Sequence, residues 1–162
     1  MPIPAYLWLK DDGGALIKGS VDISNRENSI EIIGFSHGVS LPVDFQTGKI
    51  TGTRTRTHTP ITLEKEFDSS SPYLYKAVTT GQTLKSAELK WYQINDAGHE
   101  VEYFNKFMEG VKIVAVNPGM PNIKMSGIEK INHIESVSIL YDKITWKYCD
   151  GNVQHSDSWN ER

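Results

Sequence analysis

The stretch Phe67-Asp68-Ser69-Ser70-Ser71-Pro72-Tyr73-Leu74-Tyr75-Lys76-Ala77-Val78-Thr79-Thr80-Gly81 reads as the one helix in a chain whose other segments alternate like strands. Ser71 is placed to cap the first turn. Pro72 suits the first helical position, where its missing N–H needs no partner, and Gly81 supplies the left-handed residue that ends a helix. The expected helix therefore begins at about Pro72 and ends at Thr80. Leu74, Ala77 and Val78 fall three and four apart and form one narrow apolar stripe, so the helix should lie as a lid against a sheet.

Working back from the helix, Ile61, Leu63 and Phe67 share an inward face opposite Thr62, Glu64 and Glu66, the pattern of a half-buried strand. Before it, Thr51, Thr53, Thr55, Thr57 and Thr59 alternate with Gly52, Arg54, Arg56 and His58. Neither face is oily, so this strand is expected either at an exposed edge or against a partner. Residues 36–49 lose all period and read as a long connection. Ile17 to Ile23 predicts a short strand, and the β-branched run from Ser29 to Phe35 a firmer one. Ala5, Tyr6, Leu7, Trp8 and Leu9 are all apolar, so both faces of this strand should be covered, one of them by another subunit.

Beyond the helix, Ala87, Leu89 and Trp91 alternate with Glu88, Lys90 and Tyr92. Asn95-Asp96-Ala97-Gly98 then turns the chain into Glu100-Val101-Glu102-Tyr103, a β-hairpin. Gly110 should break the next run, a strand is expected over residues 111–116, and residues 117–132 read as loop. The last long segment changes phase, with Val137, Ile139 and Tyr141 on one side and Ile144, Trp146 and Tyr148 on the other. A bend near Asp142-Lys143 would return both sets to one core. The reading is a mainly β fold: a small β-barrel of two packed sheets with one flanking helix, in a single domain spanning residues 1–162.

At 162 residues the chain can bury a sizeable core without disulfides, and its single cysteine, Cys149, reads as a buried, reduced thiol and not a nucleophile. A net charge of −3, with both signs interspersed, excludes the basic field of a nucleic-acid binder. The start has no positive head and too short an apolar run for a signal peptide, and no later run is long enough to cross a membrane. Catalytic groupings fail on spacing. His99 and Glu102 fall on opposite faces of a strand, and His155-Ser156-Asp157 has the letters of a triad whose side chains point apart. His133 and Glu135 could share a face but lack a third metal ligand. No catalytic residue, metal or cofactor is expected.

Taken in order, Ala5-Tyr6-Leu7-Trp8-Leu9, Asp12-Gly13-Gly14, Ile17-Lys18-Gly19, Arg56-Thr57-His58-Thr59-Pro60 and Asp68-Ser69-Ser70-Ser71-Pro72-Tyr73-Leu74-Tyr75-Lys76-Ala77 resemble the Hcp family, the tube proteins of bacterial type VI secretion. Leu89-Lys90-Trp91-Tyr92, Tyr141-Asp142-Lys143-Ile144-Thr145-Trp146 and His155-Ser156-Asp157-Ser158-Trp159 carry the resemblance to the end of the chain. It implies a tube subunit with no active site and no cargo domain of its own, forming six-membered rings that stack. The implied partners are other copies of the chain, a spike protein at the tube tip, a contractile sheath around the tube and effectors in the lumen. Neither nucleic acid nor membrane insertion is implied, and the protein would be made in the cytoplasm and exported without a signal peptide. The expected subunit or ring interface comprises Tyr6, Trp8, Asp44, Gln46, Arg54, Arg56, His58, Asp96, Gly98 and Ser158. A secreted β-barrel carbohydrate-binding module, or a small hydrolase, is the competing reading; its mark would be exposed aromatics converging with a carboxylate pair.

Overall fold

The computed structural model describes residues 3–50, 56–127 and 132–159. Strands dominate. Before the helix they are β1 (Ala5–Lys10), β2 (Leu16–Ile17), β3 (Ile30–Ile32), β4 (Gly34–Ser36), β5 (Val39–Ser40), β6 (Val43–Asp44), β7 (Lys49–Ile50), β8 (Thr57–His58) and β9 (Ile61–Glu66). Helix α1 (Ser71–Thr80) is followed by β10 (Thr83–Ile94), β11 (Glu100–Gly119), β12 (Ile134–Leu140), β13 (Lys143–Tyr148) and β14 (Val153–Ser158). The fold is mainly β with one helix, as the alternation predicts.

Among the described residues, ten strands share one antiparallel sheet in the order β2-β1-β10-β11-β12-β9-β4, with β13 added beside β11, β14 beside β13 and β3 beside β1. The expected barrel differs in that its ladder is not closed. β3 pairs with β1 and β4 with β9, and the two consecutive segments meet at Ile33, whose N–H donates to the Glu64 carbonyl at 2.8 Å. One stretch of chain thus serves both edges, and the apolar residues that alternate inward from β1, β3, β9, β10, β11 and β12 fill the space between.

β11 runs for 20 residues because it changes partner midway, pairing with β13 over Phe104 to Glu109 and with β12 from Lys112 onward. Gly110 stands at the change with φ +64°, and a Cβ there would lie 2.2 Å from Asp142 Oδ2. Glycine therefore does not break the strand, as its sequence context suggests, but makes room for the bend between β12 and β13. That bend falls at Tyr141-Asp142, so Val137, Ile139, Tyr141 and Ile144 all reach the core despite their change of phase. β12 alongside also carries β11 to Gly119, past the expected stop.

Helix α1 closes one side with Leu74 and Ala77 buried and Val78 half-buried, and Gly81 ends it at φ +67°. The N-cap is Ser70, one residue earlier than expected, and Ser71 is the first helical residue. Its hydroxyl is used otherwise: it accepts the Asp68 N–H at 3.1 Å and donates to Glu135 Oε1 at 2.6 Å. Phe67, expected inside, is 49% exposed. The inward alternation from Ile61 and Leu63 instead reaches Lys65, which is 1% exposed and bonds Glu135, Asp68 Oδ1, Ser71 Oγ and the Glu66 carbonyl. The predicted strand at residues 17–23 stops at Ile17, because Gly19 packs against the Ser29 carbonyl and the chain turns.

Candidate functional site

Residues 37–59 leave the barrel as an arm. Far from being structureless, the described part carries two short ladders, β5 with β8 and β6 with β7. Each ladder joins only two residue pairs, and such ribbons are not stable alone in water. What the arm shows to solvent is apolar: Val39, Leu41, Val43 and Ile50 are each at least 40% exposed and Phe45 is 97% exposed. Asp44 and Gln46 flank Phe45. Asp44 Oδ1 accepts the Gln46 N–H at 2.9 Å, and this bond, with those from Thr47, holds the carboxyl below its usual range.

The root of the arm is polar and internal. In the described part of the threonine-rich strand the alternation holds, with Arg56 and His58 turned inward and Thr57 and Thr59 outward. Arg56 grips Asp157 through Nε at 2.9 Å and Nη2 at 2.8 Å, and Nη2 also donates to the Ser158 carbonyl. His58 Nε2 meets Asp157 Oδ2 at 2.6 Å; a carboxylate only accepts, so this nitrogen donates. His58 Nδ1 reaches the Tyr141 hydroxyl, which also bonds His37 Nε2 at 2.7 Å. The chain His37, Tyr141, His58, Asp157 and Arg56 pins both ends of the arm to the bend after β12 and to β14. Burial alone would raise Asp157, yet the Arg56 and His58 bonds hold it below the usual carboxylate range. Burial also raises the Tyr141 hydroxyl, with Asp157 adding to it.

This root should make the protein acid-sensitive. Burial, then Lys106 and His58 nearby, lower the His37 imidazole to about 4. The unfolded chain takes up that proton near the ordinary value of about 6.5, so between about pH 6.5 and 4 it binds more protons than the folded chain, and stability falls as pH falls. His37 is only half-buried, which keeps the slope below the one-proton limit of about 1.4 kcal/mol per pH unit. Urea midpoints at about pH 7 and pH 5 should differ less in His37→Gln than in the unaltered chain; an equal drop would show that another group is responsible.

The remaining expected interface residues lie elsewhere. Tyr6 is 2% exposed, enclosed by this chain's own Arg26 and Tyr92: the guanidinium lies 4.1 Å from the Tyr92 centroid and 4.9 Å from that of Tyr6, and it pairs with Glu100 at 2.6 Å. On the second apolar face of β1, Tyr6 is thus covered from within the chain. Trp8 is half-buried, with the Lys90 ammonium 4.9 Å from its ring centroid. Asp96 and Gly98 sit exposed in the β10–β11 turn, Gly98 at φ +81°. Arg54 lies outside the described residues. The structure therefore brings together Arg56, His58 and Ser158, and separately Asp44 and Gln46, but not the ten as one surface.

Asp157 turns to His58, His155 stacks on Trp146, and the Ser156 hydroxyl bonds Thr145 Oγ1 at 2.8 Å, so the letters of the triad do point apart. Glu135 belongs to Lys65 and not to His133, and among the described residues no group of three or more His, Cys, Asp or Glu is placed to hold a metal. Cys149, expected buried, is half-buried and donates to Glu102 Oε1 at 3.3 Å; burial first, then that bond, raise its thiol. His37, Tyr141 and Asp157 escaped the sequence reading as site residues because their meeting spans up to 120 residues of chain. The lone signal was that Arg56 and His58 sit on one strand face with nothing local to bond.

These features define a β protein whose polar side chains secure an arm and whose apolar side chains at that arm are bare. Residues 6–148 match the family described as "Type VI secretion system effector, Hcp". The chain belongs to the Hcp family of type VI secretion proteins. It is 32% identical to the "Major exported protein" of Pseudomonas aeruginosa PAO1, over 98% of this chain and 96% of that protein. The structure of Hcp1 from E. coli EAEC 042, solved as a mutant, is 62% identical and superposes with a TM-score of 0.86, covering 97% of this chain and 99% of that one. Secreted protein Hcp3 of Pseudomonas aeruginosa is 26% identical with a TM-score of 0.73, covering 98% and 99%.

Proposed function

We propose that this chain is a structural subunit of the type VI secretion inner tube, closing into six-membered rings that stack and carry effectors. The observation that supports this most is the arm: a weak ribbon, pinned at its root by a built hydrogen-bond network, that holds out bare apolar side chains. Such a surface on an otherwise ordinary protein marks a contact with another protein. Arm and barrel are different patches, so copies would meet head to tail, and head-to-tail contacts close into rings. Membership of the Hcp family supports the further parts of this reading: six copies to a ring, a spike, a sheath, and export from the cytoplasm without a signal peptide. Trp8, the turn at Asp96 and Gly98, and the arm are the surfaces we assign to neighbours within or between rings. In this reading the protein is not an enzyme and needs no cofactor.

Native mass spectrometry at micromolar concentration should find a species of six times the 18.2 kDa chain. Monomer alone under those conditions would contradict the proposal and return attention to a binding module.

A further inference from the structure

The sheet is longer than the core it wraps, and the excess has a face of its own. Cross-strand rows on β10, β11 and β13 show it. Ala87, Met108 and Ile144 are each fully buried. In the next row Leu89 is buried but Lys106 and Trp146 are half-buried; in the row after that Trp91 and Phe104 are half-buried and Tyr148 is 44% exposed. All three rows lie on the core-facing side, so their residues are written for burial, yet the barrel ends beneath them. With Phe35 as one wall, Trp91, Tyr103, Phe104, Lys106 and Trp146 line a groove of about 340 Å³.

The groove holds one cation. Lys106 Nζ lies 4.4 Å from the Phe35 centroid and 5.7 Å from that of Trp91, and no carboxylate among the described residues pairs with it. Burial lowers this ammonium to about 8. A fitting occupant offers an aromatic or apolar group with a carboxylate beside it. The arm tip has both in adjacent residues, Asp44 and Phe45, and Phe45 at 97% exposure touches almost nothing of its own chain.

We propose that the groove around Lys106 receives the arm tip of a second copy of this chain, with Phe45 entering among the aromatic rings and Asp44 answering the Lys106 ammonium. The inference rests on the ring-and-tube reading above and assigns that reading a specific contact. Groove and arm tip are complementary but distinct patches, so each copy gives one and receives one, as a head-to-tail contact requires.

The test places a photo-crosslinking residue at the tip, Phe45→benzoylphenylalanine, in the full chain mixed with isotope-labelled copies. Irradiation should join different copies, with the partner site at residues 91–106 or 146–148. Crosslinks elsewhere, within one copy only, or absent although the chain assembles, would overturn the docking while leaving the ring reading intact. An unaltered chain that sediments only as monomer would overturn both. As a second readout, Lys106→Glu and Asp44→Lys should each weaken association by about tenfold or more with unchanged circular dichroism, and the double variant should recover most of it. A double variant no better than either single one would overturn the charge pairing.

Discussion

Glu135→Ala is expected to lose about 3–5 kcal/mol of stability, the largest cost of any single change argued for this chain. Glu135 and Lys65 face each other across β12 and β9, each 1% exposed. Taking the carboxylate away leaves an ammonium in the core with Asp68, at 3.1 Å, as its remaining acidic partner. It also strips the acceptor from Ser71, so the start of α1 loosens from β12. A damaging deletion does not make the pair a net source of stability, because both charges were desolvated to form it. The double variant Lys65→Met/Glu135→Leu should therefore stand within about 1 kcal/mol of the unaltered protein. Guanidinium unfolding followed by tryptophan fluorescence checks both, and a loss below about 1 kcal/mol for Glu135→Ala would show that water reaches Lys65.

Arg56→Glu is expected to cost about 3 kcal/mol, because it removes a bidentate charge-assisted pair and sets two carboxylates face to face. Arg56 and Asp157 side chains are 19% and 21% exposed, enough shielding for the pair to count. The sequence places this strand either at an exposed edge or against a partner, and at either place a reversal should spare the fold. The structure alters that expectation: Arg56 serves its own chain, and losing it frees the arm root along with His58. Urea unfolding should shift, and limited proteolysis should cut the arm near Lys49 while sparing the barrel strands. Arg56→Glu/Asp157→Arg should restore part of both. An Arg56→Glu protein as stable and as protease-resistant as the unaltered chain would show the ion pair to be idle.

Assembly and acid sensitivity meet at the same place. His37 and Phe35 leave the barrel at the arm's start, Phe35 walling the groove and His37 joining the root network. Acidification that charges His37 would then act on the arm's anchor before it reaches the core.

Local periodicity was enough for much of this protein. The apolar stripe of Leu74, Ala77 and Val78, with Gly81 behind it, specified a lid helix, and period-two alternation specified the β10–β11 hairpin and β9. Those are short-range rules of backbone geometry and burial, and the residues that obey them are neighbours. The phase change between Tyr141 and Ile144 likewise announced a bend. The ordered motifs of the whole chain were sufficient to mark the Hcp family. What only the tertiary structure decided are the meetings of distant residues. Alternation alone gives no sign that the inward position after Leu63 is a lysine satisfied by Glu135, 70 residues on. Nor does it show that Gly110 yields its Cβ space to Asp142, or that Asp157 closes on Arg56 and His58 from the far end of the chain. In the described part of the threonine-rich strand, read as an exposed edge or a partner surface, Arg56 and His58 bond Asp157 and Tyr141 of the same molecule. The face of β10 and β11 that looked like core, by contrast, runs past the core's end, because strand length is written locally whereas the length of the barrel depends on every strand that packs into it.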